Sequence, residues 1–318
     1  MTKFIPTLVF ITCAIYSYGQ VITPFSIRYQ TTQKGGILFL SNTSVTCSGV
    51  GCGAAQAQNP PAGTGTDNSF SAAYADIDGD GTTFSSSLDN LSLPACSQIS
   101  WAGLYWGGEI TNAATNYATR NQCRIKANAG AYVNLTADAL QDNAVGFTTY
   151  HCFKDVTSIV QAAGTTASFT VANVAVRVGG TNRFGGQSLW FIKTIYSQCA
   201  TSLSLTVCLT FSSANANTDI AVSGFLTPLS GPVTFEVGAI SYDGDRSSTG
   251  DQLLFNGGSG FVNISDAANP VNDIFNSTIS YNGIVKTTPG INPGYTNTLG
   301  YDADIFIPNN VCQELHRE

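Results

Sequence analysis

An all-β chain, built as a large β-sandwich or jelly roll with at most one or two short helices, is what three features of the sequence predict. Residues 203–211 alternate strictly, with Leu203, Leu205, Val207, Leu209 and Phe211 set against Ser204, Thr206, Cys208 and Thr210. That is the period of a strand with one buried face. Further β-rich runs at 167–178, 187–196 and 231–241 follow at the spacing of a sandwich, with turn residues between them. Finally, Trp101-Ala102-Gly103-Leu104-Tyr105-Trp106-Gly107-Gly108 sets aromatics, which favour strands, beside glycines, which in a strand mark a bulge or close backbone approach.

Taken in chain order, Lys3, the apolar run Phe4 to Tyr16 and the small residues of Ser17-Tyr18-Gly19 predict a signal peptide over 1–19. Its apolar core is shorter than the about 20 residues of a spanning helix, and no later segment approaches a membrane span. Lipoprotein processing at Cys13 is disfavoured by Thr12 before it and by the apolar residues that follow. The mature chain is expected outside the cell or on its outer surface. Residues 20–100 read as an irregular segment packed on the sandwich, broken most strongly at Pro60-Pro61-Ala62-Gly63-Thr64-Gly65.

The main sandwich is expected over 101–307. A first strand gives way to Asn- and Ala-rich loop sequence up to 150. Asp155 can cap a helix over 156–163, closed by Gly164. Phe169 and Val171 point one way, while Val174, Val176 and Val178 have slipped by one, so a bulge is expected near Asn173. Residues 308–318 form a polar tail.

Composition narrows the function classes. Charged residues make up 10% of the 318 residues, against about 25% in an average soluble protein. A net charge of −7 argues against nucleic acid, which calls for basic stripes. Sparse Lys and Arg argue against anionic membrane surfaces as well.

Loss of the signal removes Cys13 and leaves Cys47, Cys52, Cys96, Cys123, Cys152, Cys199, Cys208 and Cys312 as disulfide candidates. Cys47 and Cys52 flank the flexible Ser-Gly-Val-Gly and can close a small loop. Cys199 and Cys208 are poor partners for one another, because Cys208 sits within an extended strand and bridged Cα atoms lie about 4.4–6.8 Å apart. Zinc is disfavoured, since the chain has no C-x-x-C pair and only His151 and His316.

Two acidic groups invite chemistry. Asp76-Ile77-Asp78-Gly79-Asp80-Gly81 puts carboxylates at alternate positions and glycine at the sixth, as calcium loops do. Ser87 stands where an EF-hand needs a bidentate Glu, so the readings are a looser calcium loop through Asp76, Asp78 and Asp80, or a solvated acidic turn. The second group is Asp243, Asp245 and Asp251, with Asp302 and Asp304 later. Such acids can shape turns, bind calcium, or flank a scissile glycosidic bond.

Nucleophilic catalysis finds little support. His151 and Cys152 are adjacent and face opposite ways on a strand, and no G-x-S-x-G elbow is present. Arg177 and Arg183, near glycines, are candidates for contact with an anionic sugar. Among the aromatics, Tyr105 and Trp106 are the candidates for stacking on a ligand, since neighbours on a strand face opposite ways; core packing is the competing fate.

The Ala-x-Leu-Tyr-Trp-Gly-Gly strand at 102–108 resembles one in the N-terminal regions of large modular surface proteins, above all from Bacteroidetes. The likeness extends in order through Ser223-Gly224-Phe225-Leu226-Thr227-Pro228, Ser230-Gly231-Pro232-Val233, Tyr242-Asp243-Gly244-Asp245, Thr249-Gly250-Asp251, Phe255-Asn256-Gly257, Asn269-Pro270-Val271-Asn272, Phe275-Asn276-Ser277-Thr278-Ile279-Ser280 and Leu299-Gly300-Tyr301-Asp302-Ala303-Asp304. It covers most of residues 70–307. That family has no common catalytic activity. The resemblance implies an adhesin-like or envelope role outside the cell, often with export by the type IX secretion route. Relatives usually continue into repeat modules and a sorting domain, whereas this sequence ends at Cys312-Gln313-Glu314-Leu315-His316-Arg317-Glu318, so a fragment, a truncated gene or a short secreted relative is expected.

The favoured expectation is a non-enzymatic surface module, stiffened by disulfides and calcium, that binds an extracellular glycan or protein or projects further modules of the same surface system. The alternative is a secreted carbohydrate-active enzyme on a jelly roll, using acids near 243–251.

Overall fold

The computed structural model of the chain describes residues 26–31, 33, 35–94, 96–142, 149–195, 219–222, 235–257 and 260–308. They form an all-β sandwich with two α-helices, Cys52–Gln56 and Thr157–Ala163. Among the described residues no helix is long and apolar enough to cross a membrane.

One five-stranded antiparallel sheet is central. Its order is Gly35–Thr43, Gly185–Ile195, Ser97–Glu109, Thr149–Asp155, Ala139–Asp142. A second five-stranded sheet covers one face, in the order Ile291–Asn292, Ser86–Ser92, Thr166–Ala172, Gln122–Ala127, Val133–Thr136. A four-stranded sheet covers the other, ordered Val237–Tyr242, Tyr301–Phe306, Ile279–Tyr281, Ile284–Val285. Here Ile279–Tyr281 runs parallel to Tyr301–Phe306.

The aromatic–glycine run explains this layering. Successive strand residues point to opposite faces. Ala102, Leu104 and Trp106 face Leu91, Ile125, Phe169 and Val171 of the second sheet. Trp101 and Tyr105 join Ile37 and Phe39 and face Ile279, Tyr301, Ala303 and Ile305 of the third. Both faces are apolar, so this strand must be buried on both sides. Burial of a Trp such as Trp106 removes about 150–250 Å² from water, on the order of 4–6 kcal/mol before entropy is counted. Gly107 lets the layers close: a Cβ there would lie 2.4 Å from the Tyr150 carbonyl oxygen and 3.3 Å from the Tyr242 hydroxyl.

Several expectations need correction. Residues 20–100 are not irregular, since Gly35–Thr43 and Ser86–Ser92 are full members of the two large sheets. Their alternation is hidden because Ser41, Asn42, Thr43 and Ser85–Ser87 are themselves buried. The stretch read as loop before 150 contains Gln122–Ala127, Val133–Thr136 and Ala139–Asp142. The phase slip after Val171 ends the strand rather than bulging it: Asn173 takes φ 62, and Val174, Ala175 and Val176 are buried beyond the strand. The strand expected at 187–196 occurs as Gly185–Ile195, with a register shift between Ile192 and Lys193. The helix runs Thr157–Ala163, begun by the Thr157 N–H donating to Asp155 Oδ1 at 2.9 Å and ended at Gly164, φ 85. The alternating segment 203–211 lies outside the described residues, as do 223–234 and the tail beyond 308.

Candidate functional site

The Tyr-Asp-Gly-Asp turn follows strand Val237–Tyr242, and its residue types fit its geometry. Asp243 takes φ 68, a left-handed conformation that Asp tolerates better than most side chains. Gly244 has no alternative, because a Cβ there would lie 2.2 Å from Asp302 Oδ2 and 2.6 Å from the Phe275 carbonyl oxygen. Asp245 then reaches across the chain. Its Oδ1 accepts from the Asp67 N–H at 3.2 Å and its Oδ2 from Asn68 Nδ2 at 2.8 Å. Asp67 opens the short 3-10 turn Asp67–Ser69.

These contacts gather three carboxylates. The ligand atoms of Asp67, Asp243 and Asp245 all lie within 4.8 Å of one another, and among the described residues no other three Asp, Glu, His or Cys side chains do so. Asp67 is 5% exposed, and neither of its carboxylate oxygens accepts a hydrogen bond of good geometry. Burial, and then the charges of Asp245 and Asp243, push its carboxyl up to about 8. Asp243, at the exposed rim, is pushed up to about 7 by desolvation and by Asp245 and Glu109. Asp245 is raised as well, chiefly by burial.

Beneath the turn, the other acids are built into a polar joint. Asp302 and Asp304 are fully buried. Asp302 Oδ1 accepts from the Thr278 N–H at 2.9 Å, and Asp304 Oδ1 accepts from Ser280 Oγ at 2.6 Å. Asn269 links the two strands, donating to Ser280 Oγ at 3.0 Å and to Asp304 Oδ1 at 3.5 Å. Arg246, also fully buried, donates to the carbonyls of Gln58 at 2.6 Å, Thr296 at 2.9 Å and Asn276 at 3.1 Å. Burial lowers its guanidinium to about 10.

The Asp76–Gly81 loop does not bring its carboxylates together in the same way. Asp76 Oδ1 accepts from Ser86 Oγ at 2.7 Å. Asp78 Oδ1 accepts from Thr83 Oγ1 and the Asp80 N–H, both at 3.0 Å, and its Oδ2 accepts from the Tyr132 hydroxyl and faces Lys126 at 3.7 Å. Although burial opposes it, these hydrogen bonds and Lys126 hold Asp78 down at about 2. Asp80 accepts from the Thr82 N–H at 2.9 Å. Donors on and beside the loop occupy these carboxylate oxygens.

The aromatic pair proposed for ligand stacking is buried. Tyr105 is 4% exposed and Trp106 0%, because both faces of their strand are covered. Trp106 Nε1 donates to the Arg120 carbonyl at 3.0 Å, and Tyr105 packs on Phe153 at 5.0 Å. Neither offers a stacking face. Arg177 and Arg183 turn to Glu109 rather than to solvent anions, at 2.5 and 3.5 Å. His151, buried against Tyr242 at 4.6 Å, is lowered to about 3 by burial. Cys152, on the other face, packs in the core with Cys123.

Of the disulfide candidates, Cys47 and Cys52 are joined, with Cα atoms 5.6 Å apart. Cys96 is an exposed thiol, and Cys123 and Cys152 are buried thiols, which corrects the expectation of a disulfide at each of the three. Cys199, Cys208 and Cys312 lie outside the described residues.

An open, largely apolar groove of about 370 Å³ runs between the edge strand Gly35–Thr43 and the Ile279–Val285 hairpin, with Tyr281, Ile284 and Lys286 on its wall.

Asp67 was missed by sequence reasoning. It lies 178 residues from Asp245, in a segment without periodicity, and no local signal connects them. No protein-family model, curated protein or solved structure matches this chain.

Proposed function

We propose that the chain is a non-enzymatic module of an exported, cell-surface, adhesin-like protein of the Bacteroidetes type, which binds a glycan or protein or projects further modules. The observation that supports this reading is where the resemblance-bearing motifs fall. Ser280, Asp302 and Asp304, on paired strands of the third sheet, and Ser277 and Thr278, just before the first of those strands, are fully buried, and Asn269 bonds among them. Asp302 and Asp304, enclosed in this way, are unavailable as a solvent-facing acid pair of the kind glycoside hydrolysis requires, which leaves Asp243 and Asp245 as the acids a hydrolase would have to use. Export by the type IX route belongs to the same reading and rests on the resemblance alone.

Under this reading the ligand surface is the groove beside Tyr281, because Tyr105 and Trp106 are enclosed. Tyr281 is 39% exposed and Ile284 72%. An exposed aromatic at a groove rim suits stacking on a sugar or on an apolar peptide side chain. The test is binding of the purified chain to a glycan and matrix-protein array. Selective, saturable binding that Tyr281→Ala weakens at least tenfold is the expected result. Equal binding by wild type and Tyr281→Ala removes the groove from the account, and a blank from folded protein leaves only the projecting role.

A further inference from the structure

We infer that Asp67, Asp243 and Asp245 form a binding site for one divalent cation of the calcium class, which ties the Asp67–Ser69 turn to the end of strand Val237–Tyr242. The inference is independent of the adhesin reading. Its first support is spacing. Calcium–oxygen bonds of about 2.3–2.6 Å place ligands on opposite sides of one ion about 4.6–5.2 Å apart. The three carboxylates offer oxygens within 4.8 Å of one another.

The second support is Asp67 itself. A buried carboxylate is hydrogen-bonded, paired with a cation or bound to metal. Asp67 is 95% enclosed, neither of its oxygens accepts a hydrogen bond of good geometry, and one of them lies within 4.8 Å of the other two acids. Asp78 is the contrast: Asp76 and Asp80 flank it in sequence, but Tyr132, Thr83 and Lys126 fill its oxygens.

The donor set favours calcium. All three ligands are hard oxygens, which suit calcium, magnesium or manganese rather than softer metals. Magnesium is usually held by one or two carboxylates, whereas calcium accepts six to eight oxygens in flexible geometry. Asp243 stands at the exposed rim, so an ion can arrive from solvent and complete its shell with water. The consequence is structural. An ion here joins residues far apart in sequence, beside Arg246, whose bond to the Gln58 carbonyl already holds the preceding loop.

The rival is a proton held between Asp67 and Asp245, and titration of the chelator-stripped chain with calcium chloride separates the two. Calorimetry is expected to give one site lost in Asp67→Asn. The melting temperature is expected to rise by about 2 °C for each tenfold of calcium above the dissociation constant. Asp243→Asn, changed at the exposed rim, is expected to lose the shift as well, and decides the matter should Asp67→Asn not fold. Asp80→Asn, in the other acidic loop, is expected to keep it. No binding by wild type, a shift that survives Asp67→Asn or Asp243→Asn, or one that disappears in Asp80→Asn overturns the inference.

Discussion

Gly107 is where the layering of this protein is most exposed to a single change. It pairs with His151 on one side and Gly186 on the other, in the middle of the central sheet. In Gly107→Ala the new Cβ would lie 2.4 Å from the Tyr150 carbonyl oxygen, about 1 Å short of ordinary contact. That oxygen belongs to the backbone of a paired strand and cannot rotate away. The His151 ring at 3.2 Å and the Tyr242 hydroxyl at 3.3 Å close the remaining directions. Relief therefore requires the strands or the third sheet to move. Overpacking of this kind costs about 1–3 kcal/mol, and a backbone clash belongs at the upper end. For a chain of this size that corresponds to a fall of about 2–5 °C in Tm. Gly81→Ala is the matched control. Nothing lies within 4 Å of its Cβ, and reduced freedom of the unfolded chain should leave it neutral or up to about 1 kcal/mol more stable. Urea denaturation of the three proteins measures both. A Gly107→Ala protein within about 0.5 kcal/mol of wild type, the scatter of an ordinary surface change, would refute the doubly covered sheet.

Other expectations follow from single contacts. Lys286 pairs with the buried Asp89, which also accepts from the Ser41 N–H at 2.8 Å. Lys286→Met should cost about 2–3 kcal/mol by denaturation, below the 3–5 of a fully buried pair because Lys286 is partly exposed, and adding Asp89→Asn should recover part of it. Asp304 is pushed up to about 8 from 3.8, first by burial. Between those values the native state holds a proton that the unfolded state has released, so this group's contribution falls as pH rises from about 4 to about 8. Melting curves across that range should lose this slope in Asp304→Asn, with the two proteins closest near pH 4 and wild type falling behind as pH rises. Alkylation of the native chain followed by mass spectrometry should label Cys96 and spare Cys123 and Cys152, whose thiols burial raises above the ordinary cysteine range. Rapid labelling of Cys123 would contradict the packing between the two large sheets.

Much of the architecture could be read from residue order, for identifiable reasons. Trp101 to Gly108 announced a strand because aromatics and glycine need a packed, closely approached backbone. Asp155 and Gly164 bounded a helix through local hydrogen bonding and a positive φ. What escaped were strands whose partners are polar. Ser41, Asn42 and Thr43 are buried through hydrogen bonds to distant groups, as in Ser41 Oγ with Tyr301 at 2.7 Å, so their hydropathy carries no period. The same limit applied to the site. Asp243 and Asp245 stood out as an acidic turn, but their meeting with Asp67 depends on sheet order, which short-range pattern does not encode. Tyr105 and Trp106 misled for a related reason. Alternation places neighbours on opposite faces, yet it does not say that one face is open, and here both are covered.

The account's central claim is that the acids of the proposed module brace the third sheet and the turns beside it instead of doing chemistry. The most direct measurement is product release from a broad glycan panel by wild type, Asp243→Asn and Asp245→Asn, each verified as folded by its melting transition. The account predicts no release above buffer from any of the three. Release by wild type that is abolished in folded Asp245→Asn would contradict it and make the chain a glycan hydrolase.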